Sequence, residues 1–171
     1  MKQLTAMILT ACMLLCLVAC GAKSPAETQN ATEDALSTAH TSAKEPANME
    51  KLYELMAAQM PEMIRMDETT MLNFCGIQAE DCVQVVAAIC ADGLITDEVW
   101  LIEAKDQEAL GRLKALAETR LQMKGEESIT YSPEQYAVVQ EAKVLTKDLY
   151  MALIVSPDVD TLEEIFLGAV E

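Results

Sequence analysis

The feature that most limits what this chain can fold into is an apolar run at its N-terminus. Lys2 supplies a positive charge, and residues 4–18 are almost entirely apolar. The run is shorter than the roughly 20 apolar residues that a membrane-spanning helix needs, and its length is typical of a secretory signal. We therefore expect residues 1–19 to be a signal peptide, so that any folded core is formed by the rest of the chain.

The end of the run resembles the bacterial lipobox, in which a branched residue, a spacer and a small residue precede a cysteine. Such a cysteine is acylated on sulfur, the chain is cut just before it, and the acyl chains together anchor the protein stably. The motif predicts a lipid on Cys20 and a location at the cell membrane, on its extracytoplasmic side. The alternatives are an ordinary signal peptide with an incidental Cys20, or an uncleaved membrane anchor. The matching residues are Leu17-Val18-Ala19-Cys20-Gly21.

Residues 20–48 are predicted to be the lipidated cysteine followed by a disordered linker. The stretch 21–48 is rich in Ala, Ser, Thr, Asn and Glu, and Leu36 is its one large aliphatic residue. Such a composition buries too little apolar surface to offset the entropy lost on ordering. As a random coil, the linker would span roughly 30 Å, and His40 within it is expected to be solvated.

The charge of the chain excludes two classes of partner. It has 12 basic and 28 acidic residues, and the loss of Lys2 with the signal peptide takes the net charge from −16 to −17. Nucleic-acid binding needs clustered bases, and binding flat to anionic lipid uses polybasic patches. We therefore expect no nucleic-acid partner, and contact with the membrane only through the lipid on Cys20.

Residues 49–171 are predicted to form one domain, since their number suits a single core. Capping residues stand just before apolar positions with helical spacing and indicate where helices begin. Two of these starts are capping boxes, in which side chains three residues apart satisfy each other's free N–H groups. The predicted starts are Asn48, Asp67, Asp106, Ser132 with Gln135 around Pro133, and Asp160 with Glu163; the first three helices are expected to end at Met60-Pro61, at Gly76 and near Gly125.

Two pairs of apolar stretches predict strands. Residues 83–91 form a nearly continuous apolar run and are followed, after a turn, by residues 99–104. Residues 142–146 and 149–155 flank a second tight turn. The expected fold is α+β, with a mainly antiparallel four-stranded sheet and helices packed on one face.

The single tryptophan lies in the second predicted strand. Strand alternation places Trp100 and Ile102 on one face, and Val99 and Leu101 on the other. We expect Trp100 to point toward the helices as a core residue. If it pointed away from them, it would mark a binding patch on the uncovered face of the sheet.

Several short segments are similar to a family of small Firmicute lipoproteins that is catalogued only as a domain of unknown function. The resemblance implies a surface-anchored α+β domain over residues 50–168 and supplies no catalytic residues. Phe74-Cys75-Gly76 departs from the aromatic-Gly pattern expected of the family. The matching segments are Met60-Pro61, Cys75-Gly76-Ile77, Asp97-Glu98-Val99-Trp100-Leu101 leading to Glu103-Ala104, Tyr131-Ser132-Pro133-Glu134-Gln135, and 150–156.

The predicted domain contains three cysteines, Cys75, Cys82 and Cys90. We expect them to be small buried side chains, and a Cys75–Cys82 disulfide is the alternative. Zinc needs further ligands at suitable spacing, and the one histidine of the chain, His40, lies in the linker. No metal site and no cofactor are therefore predicted.

The residues for common catalytic mechanisms are not found together in this sequence. Without a histidine, the predicted domain lacks a Ser/His or Cys/His pair, and no Gly-x-Ser-x-Gly motif occurs. No catalytic residue is assigned. Paired acids are plentiful, and the set around Asp158 offers oxygen ligands for calcium, but it lacks the loop length and the glycine of an EF-hand. Helix caps and solvated faces are the simpler interpretation of Asp158, Asp160, Glu163 and Glu164.

Three methionines, Met60, Met63 and Met66, recur three residues apart. Thioethers bind Cu(I) because it is a soft ion, but methionine at helical spacing more often fills a core. We expect packing, with copper binding as the less favoured alternative.

The sequence therefore favours a membrane-anchored, non-catalytic binding or interaction module whose ligand is an unknown protein or small molecule. An envelope enzyme that uses carboxylate or thiol chemistry is the first alternative. It predicts a pocket with convergent acids, or an exposed cysteine near a base. A Met-rich metal-binding lipoprotein is the second alternative.

Overall fold

The computed structural model describes residues 45–171, which fold as a five-stranded sheet and its helices. The predicted signal peptide, Cys20, His40 and the linker before Glu45 lie outside the described residues. The elements are α1 (Met49–Ala57), β1 (Met63–Arg65), α2 (Glu68–Thr70) continued by a π-helical turn (Met71–Cys75), a 3₁₀ turn (Ala79–Asp81), β2 (Cys82–Cys90), β3 (Glu98–Ala104), α3 (Gln107–Tyr131), α4 (Pro133–Glu141), β4 (Lys143–Lys147), β5 (Tyr150–Val155) and α5 (Val159–Val170).

All neighbouring strands are antiparallel, in the order β1-β2-β3-β5-β4. Glu98, the first residue of β3, lies opposite Ile89 near the end of β2 and opposite Val155 at the end of β5. Glu103, near the last residue of β3, lies opposite Gln84 and Tyr150. We call the two ends of the sheet along the strand direction the Glu98 end and the Glu103 end.

The predicted α+β class and the antiparallel sheet are confirmed, and the four predicted strands are each within one residue of the observed bounds. The sheet has five strands rather than four, because β1 was not expected. This strand is only three residues long and forms by pairing Met63 with Cys90 at the edge of β2. Its short sequence carries no alternation that would identify a strand.

The prediction that helices pack on one face is wrong, because both faces of the sheet are covered. On one face, Trp100 and Ile102 pack in a core with α3, α4 and residues 66–77. On the other, Val99 and Leu101 pack with α1 and α5. Trp100 is fully buried, so its predicted place in the core is confirmed. The physical reason for two layers is that β3 is apolar on both faces and each face must be removed from water.

Four of the predicted helix starts are confirmed by a side chain that accepts a hydrogen bond from a backbone N–H three residues later. The capping box at Asp160 and Glu163 is wrong: α5 begins at Val159, and both carboxylates instead bind Lys143. α1 ends at Ala57, before the predicted Met60. The confirmed caps are Asn48, Asp67, Asp106 and Ser132. The other half of the predicted capping box at Ser132 is wrong, because the Gln135 side chain binds Thr96 and the Ser132 N–H donates to the Ser128 carbonyl.

Helix α3 continues six residues past its predicted end near Gly125 and stops at Tyr131. The prediction fails because the apolar stripe of α3 gives way to the buried polar residues Arg120, Lys124 and Ser128, which continue the inward face at helical spacing. Gly125 is inside the helix, where Tyr136 of α4 packs close to it. Within residues 45–171, no helix is both long and apolar enough to cross a bilayer.

Candidate functional site

A buried ion pair joins the first residue of β3 to the second half of α3. The carboxylate of Glu98 accepts hydrogen bonds from Arg120 Nε (3.0 Å) and Nη2 (2.9 Å), and Lys124 Nζ lies 3.0 Å from it. The indole Nε1 of Trp100 donates a further hydrogen bond of 2.8 Å. Three donor groups therefore hold a fully buried carboxylate at the Glu98 end.

The positions of these groups follow from local structure. Glu98 and Trp100 are two residues apart on β3 and so point to the same face, while Arg120 and Lys124 are four apart and share one side of α3. Burial by itself lowers the pKa of Arg120, but the hydrogen bonds and charge of Glu98 outweigh it, so the net shift is upward. Two buried cations share one carboxylate in this group, which leaves one formal positive charge in excess.

An aromatic ring covers the guanidinium of this ion pair. The Phe74 ring centroid lies 4.3 Å from Cζ of Arg120, within range of a cation–π interaction, and the ring is half exposed. Phe74 belongs to the π-helical turn, which Gly76 ends in the left-handed conformation at φ 74°. π-helical turns are rare and are often found at functional sites.

Asp97, next to Glu98, is a second buried carboxyl group and is 3% exposed. Its Oδ2 has no hydrogen-bond partner in the described part of the chain. Burial raises the pKa of Asp97, and the Ser156 hydroxyl and the charge of Lys124 offset only part of this rise. The carboxyl group therefore binds its proton more readily than an exposed aspartate does.

Large exposed hydrophobic side chains lie on the elements that meet at the Glu98 end. The loop 91–97 starts there, and Gln135 at the start of α4 accepts hydrogen bonds from the N–H (2.8 Å) and hydroxyl (2.9 Å) of Thr96. This contact, together with the ion pair of Glu98, places the loop beside the last turns of α3. We call the following six side chains the end surface: Phe74, Leu94, Ile95, Met123, Ile129 and Tyr131.

Cys75, Cys82 and Cys90 are free, so the alternative of a Cys75–Cys82 disulfide is not found. Cys75 and Cys90 are buried as expected, whereas Cys82 is only partly buried, because it begins strand β2 at the Glu103 end. Burial is the main cause that raises the pKa of Cys75 to about 12 and that of Cys82 to about 11. A thiol with such a pKa is a poor nucleophile at neutral pH, because the thiolate is the reactive form.

The predicted methionine triplet does not converge on one site. Met66 packs in the core on the α3 side, where the thiol of Cys75 donates to its sulfur at 3.6 Å. Met60 and Met63 pack against the core on the α1 side. Among residues 45–171, no group of three or more His, Cys, Asp or Glu side chains is arranged to hold a metal ion.

Two open clefts, of about 160 and 500 Å³, lie where the described chain begins. Both are lined by Glu45, Pro46 and Ala47 and by Ala169 of α5. Neither contains Glu98 or Asp97, so the buried carboxyl groups do not line these clefts.

The sequence alone does not identify Glu98, Arg120 and Lys124 as a group. A signal for them was present, because Leu113, Ala117, Arg120 and Lys124 recur at spacings of three and four, so that the charged residues extend the buried stripe of α3. The partner of these two cations lies in a distant strand, and helical spacing alone does not show which acid that is.

Comparison with known proteins supports the resemblance to a family of unknown function. The model of a family described as "Domain of unknown function (DUF4358)" matches residues 56–156, which is more than half of the chain. The chain therefore belongs to this family. The matched residues include β1 to β5, the ion pair of Glu98 and all of the end surface. No curated protein and no solved structure matches the chain.

Proposed function

We propose that this member of the DUF4358 family is a lipoprotein, held on the extracytoplasmic side of the cell membrane by acyl chains on Cys20, and that its domain is a non-catalytic binding module. The anchor is supported by the residues Leu17-Val18-Ala19-Cys20-Gly21, which follow the apolar run 4–18. The binding role is supported by the structure of the Glu98 end.

The observation that carries the binding role is the end surface. Among the described residues, ten large hydrophobic side chains are exposed, and six of them belong to this surface. Leu94 and Tyr131 are 84% and 86% exposed. We take these six side chains, which lie on neighbouring elements at one end of the sheet, to form one binding surface, because grouped exposed apolar side chains mark interaction sites and aromatic side chains are enriched in interfaces.

The groups beneath the end surface are fixed by hydrogen bonds. Glu98 ties α3 to the sheet, and Gln135 ties the loop 91–97 to α4 through Thr96. A surface that is already ordered loses less conformational entropy when it binds. The buried charges therefore act as support for a binding surface, and they are not exposed as reactive groups.

The described chain starts at the opposite end of the sheet from the end surface. Gln84, near the Glu103 end, donates to the carbonyl of Ala47 (3.0 Å) and accepts from the N–H of Met49 (3.1 Å). The described chain thus enters the domain at the Glu103 end.

The structure gives less support to the enzyme alternative. The raised pKa values of Cys75 and Cys82 disfavour a thiolate at neutral pH. Glu98 is fully buried and its oxygens contact Trp100, Arg120 and Lys124, so it does not face a substrate. A binding role needs neither group to react.

The anchor is tested by replacing Cys20 with Ala in cells of a bacterium that processes lipoproteins. We expect the wild-type protein in the membrane fraction and the Cys20→Ala variant in the soluble fraction, because the lipid alone holds the domain. Replacement of Cys75 with Ala is the control and should leave the protein in the membrane. If the Cys20→Ala variant stays bound as tightly as wild type, the lipid anchor is wrong.

The binding role is tested by placing a photo-cross-linking amino acid at Leu94 or Tyr131 in intact cells. Val83, which is exposed but lies at the start of β2 near the Glu103 end, is the control position. We expect discrete cross-linked products from the first two positions and none from Val83. An absence of products at Leu94 and Tyr131, or the same products from all three positions, would contradict the proposed surface.

A further inference from the structure

The exposed ionisable side chains around the end surface all carry the same sign of charge. Asp92 lies in the loop 91–97 beside Leu94, Glu126 and Glu127 lie in α3 between Met123 and Ile129, and Glu134 lies in the first turn of α4. All four are exposed acids. The apolar side chains of the end surface are therefore interspersed with carboxylates.

The cations at the Glu98 end are not available to a partner. Arg120 and Lys124 are buried against Glu98. Lys143 is at the same end of the sheet, but it is on the α5 side and is held by two carboxylates. In the described part of the chain, the end surface thus has no exposed cation on its own face to balance its acids.

On these grounds, and resting on the proposed function, we infer that the end surface binds a basic segment of another polypeptide, in which Lys or Arg side chains flank apolar anchors. The anchors pack on side chains such as Leu94 and Tyr131, and the cations meet the surrounding carboxylates. Complementary charge both steers such a partner and rejects acidic competitors.

The same charges argue against two other occupants. A second copy of the chain would bring its own acidic residues, among them Glu126 and Glu127, against an acidic surface, and like charges at an interface are repulsive. An anionic lipid surface would be repelled for the same reason. A basic, apolar polypeptide satisfies both the hydrophobic and the charged side chains of the end surface.

The inference is tested with the chain from residue 21 onward, which retains all described residues, and three fluorescent peptides of equal length. One peptide alternates Lys and Leu, the second has Glu in place of Lys, and the third has Ser in place of Leu. We expect only the Lys–Leu peptide to bind, with a Kd in the micromolar range, on the order of that of other modest interfaces.

Two double variants of equal net charge show whether the effect is local. Glu126→Gln with Glu127→Gln should weaken the Lys–Leu peptide at least about fivefold, since two nearby carboxylates are lost. Glu54→Gln with Glu164→Gln removes two exposed acids from α1 and α5 on the other face and should change its affinity less than about twofold. Leu94→Ser should weaken the same peptide, and Val83→Ser should not.

Three results would overturn the inference. They are equal or tighter binding of the Glu–Leu peptide, equal losses in the two double variants, and no binding of any peptide below millimolar concentration. A dimer that Leu94→Ser dissociates would instead identify a second copy as the occupant. Cross-links at Leu94 and Tyr131 in cells, combined with any of these results, would leave the binding module in place and remove only the basic partner.

Discussion

At the scale of single residues, the ion pair of Glu98 is the most consequential interaction at the Glu98 end. A buried charge is costly unless it is paired and hydrogen-bonded, and Glu98 meets both conditions through Arg120, Lys124 and Trp100. Such a pair contributes little net stability compared with apolar packing, but the loss of one partner leaves uncompensated charge in the core. Glu98 should therefore be far less tolerant of replacement than the many exposed acids of this chain.

We predict that Glu98→Ala lowers the free energy of unfolding by about 3–5 kcal/mol, because Arg120 and Lys124 remain buried without their carboxylate. Urea denaturation followed by far-UV circular dichroism measures the change. Glu118→Ala is the control, since its ion pair with Lys114 is exposed, and it should change the free energy of unfolding by less than about 0.5 kcal/mol. Equal losses in the two variants would show that burial of Glu98 has no special effect.

The buried carboxyl group of Asp97 should make the free energy of unfolding depend on pH. Because burial raises its pKa in the folded protein, the folded state binds this proton more tightly than the unfolded state. Its contribution to stability is complete below the unfolded pKa, about 3.9, and is lost as pH rises through the raised folded pKa. Asp97→Asn cannot ionise and should therefore gain stability relative to wild type as pH rises from about 4 to about 8.

The measurement is the difference in unfolding free energy between Asp97→Asn and wild type, taken by urea denaturation at each pH. Replacing the carboxyl group with an amide also changes the unfolding free energy by an amount that is the same at every pH. Only the change of the difference with pH is therefore used, and it reports the binding of the proton to Asp97. A difference that falls with increasing pH would contradict the raised pKa of Asp97.

At the scale of elements, what the sequence predicts well is what short segments determine by themselves. The caps Asn48, Asp67 and Asp106 were identifiable because a capping side chain bonds to a backbone N–H only three residues away. β1 was missed because it depends on the edge of β2, and the last turns of α3 were missed because their inward face is polar. In both cases the deciding interaction is with residues distant in the sequence.

Two glycines, Gly111 and Gly76, should respond in opposite ways to replacement by alanine. Gly111 is inside α3 with open space around the position of a Cβ, whereas Gly76 has φ 74° and its Cβ would lie 3.0 Å from Leu116 Cδ2. Gly111→Ala should stabilise the protein by about 0.5–1 kcal/mol through helix propensity. Gly76→Ala should destabilise it by about 1 kcal/mol or more, because an L side chain is strained in this conformation.

Thermal unfolding of the two alanine variants and of wild type separates these effects. Both variants add one methyl group to a glycine, so they differ only in where the group is placed. The expected result is a higher Tm for Gly111→Ala and a lower Tm for Gly76→Ala. A loss of stability in Gly111→Ala would mean that the surface of α3 is packed at this point. No loss in Gly76→Ala would mean that the turn after Cys75 relaxes easily.

At the scale of the whole described domain, the apolar sequence of the strands explains why helices cover both faces of the sheet rather than one. The stretch 83–91 is a nearly continuous apolar run, and such runs are typical of strands that are buried on both faces. A one-sided sheet would instead require alternation of apolar and polar residues. The two layers were thus implied by the sequence, although which helices cover which face was not.

The candidate site could be predicted only in part. The Asp97-Glu98-Val99-Trp100-Leu101 segment was marked by its resemblance to the family, and that resemblance is confirmed over residues 56–156. The pairing of Glu98 with Arg120 and Lys124 depends on how α3 lies across the sheet. The orientation of α3 is a tertiary feature that local sequence around each residue does not determine. The end surface likewise exists only because Phe74, Leu94 and Tyr131 are brought to one end by folding.

The two cores share one sheet, and this predicts how the described domain unfolds. Leu113 is fully buried in the core on the α3 side, and Phe166 is fully buried in the core on the α5 side. Because β3 contributes alternate residues to both cores, loss of either layer exposes the same strand to water. We therefore expect a single cooperative transition for residues 45–171.

Leu113→Ala and Phe166→Ala should each lower the free energy of unfolding, by about 2–5 and about 3–5 kcal/mol respectively, through the cavities that they create. Trp100 lies in the core on the α3 side, so its fluorescence reports on that layer, while far-UV circular dichroism reports on all helices and strands. If the cores are coupled, the unfolding midpoints measured by fluorescence and by circular dichroism shift by the same amount in both variants. If Phe166→Ala instead produced an early loss of circular dichroism while Trp100 fluorescence stayed native, α1 and α5 would form a layer that unfolds independently of the rest.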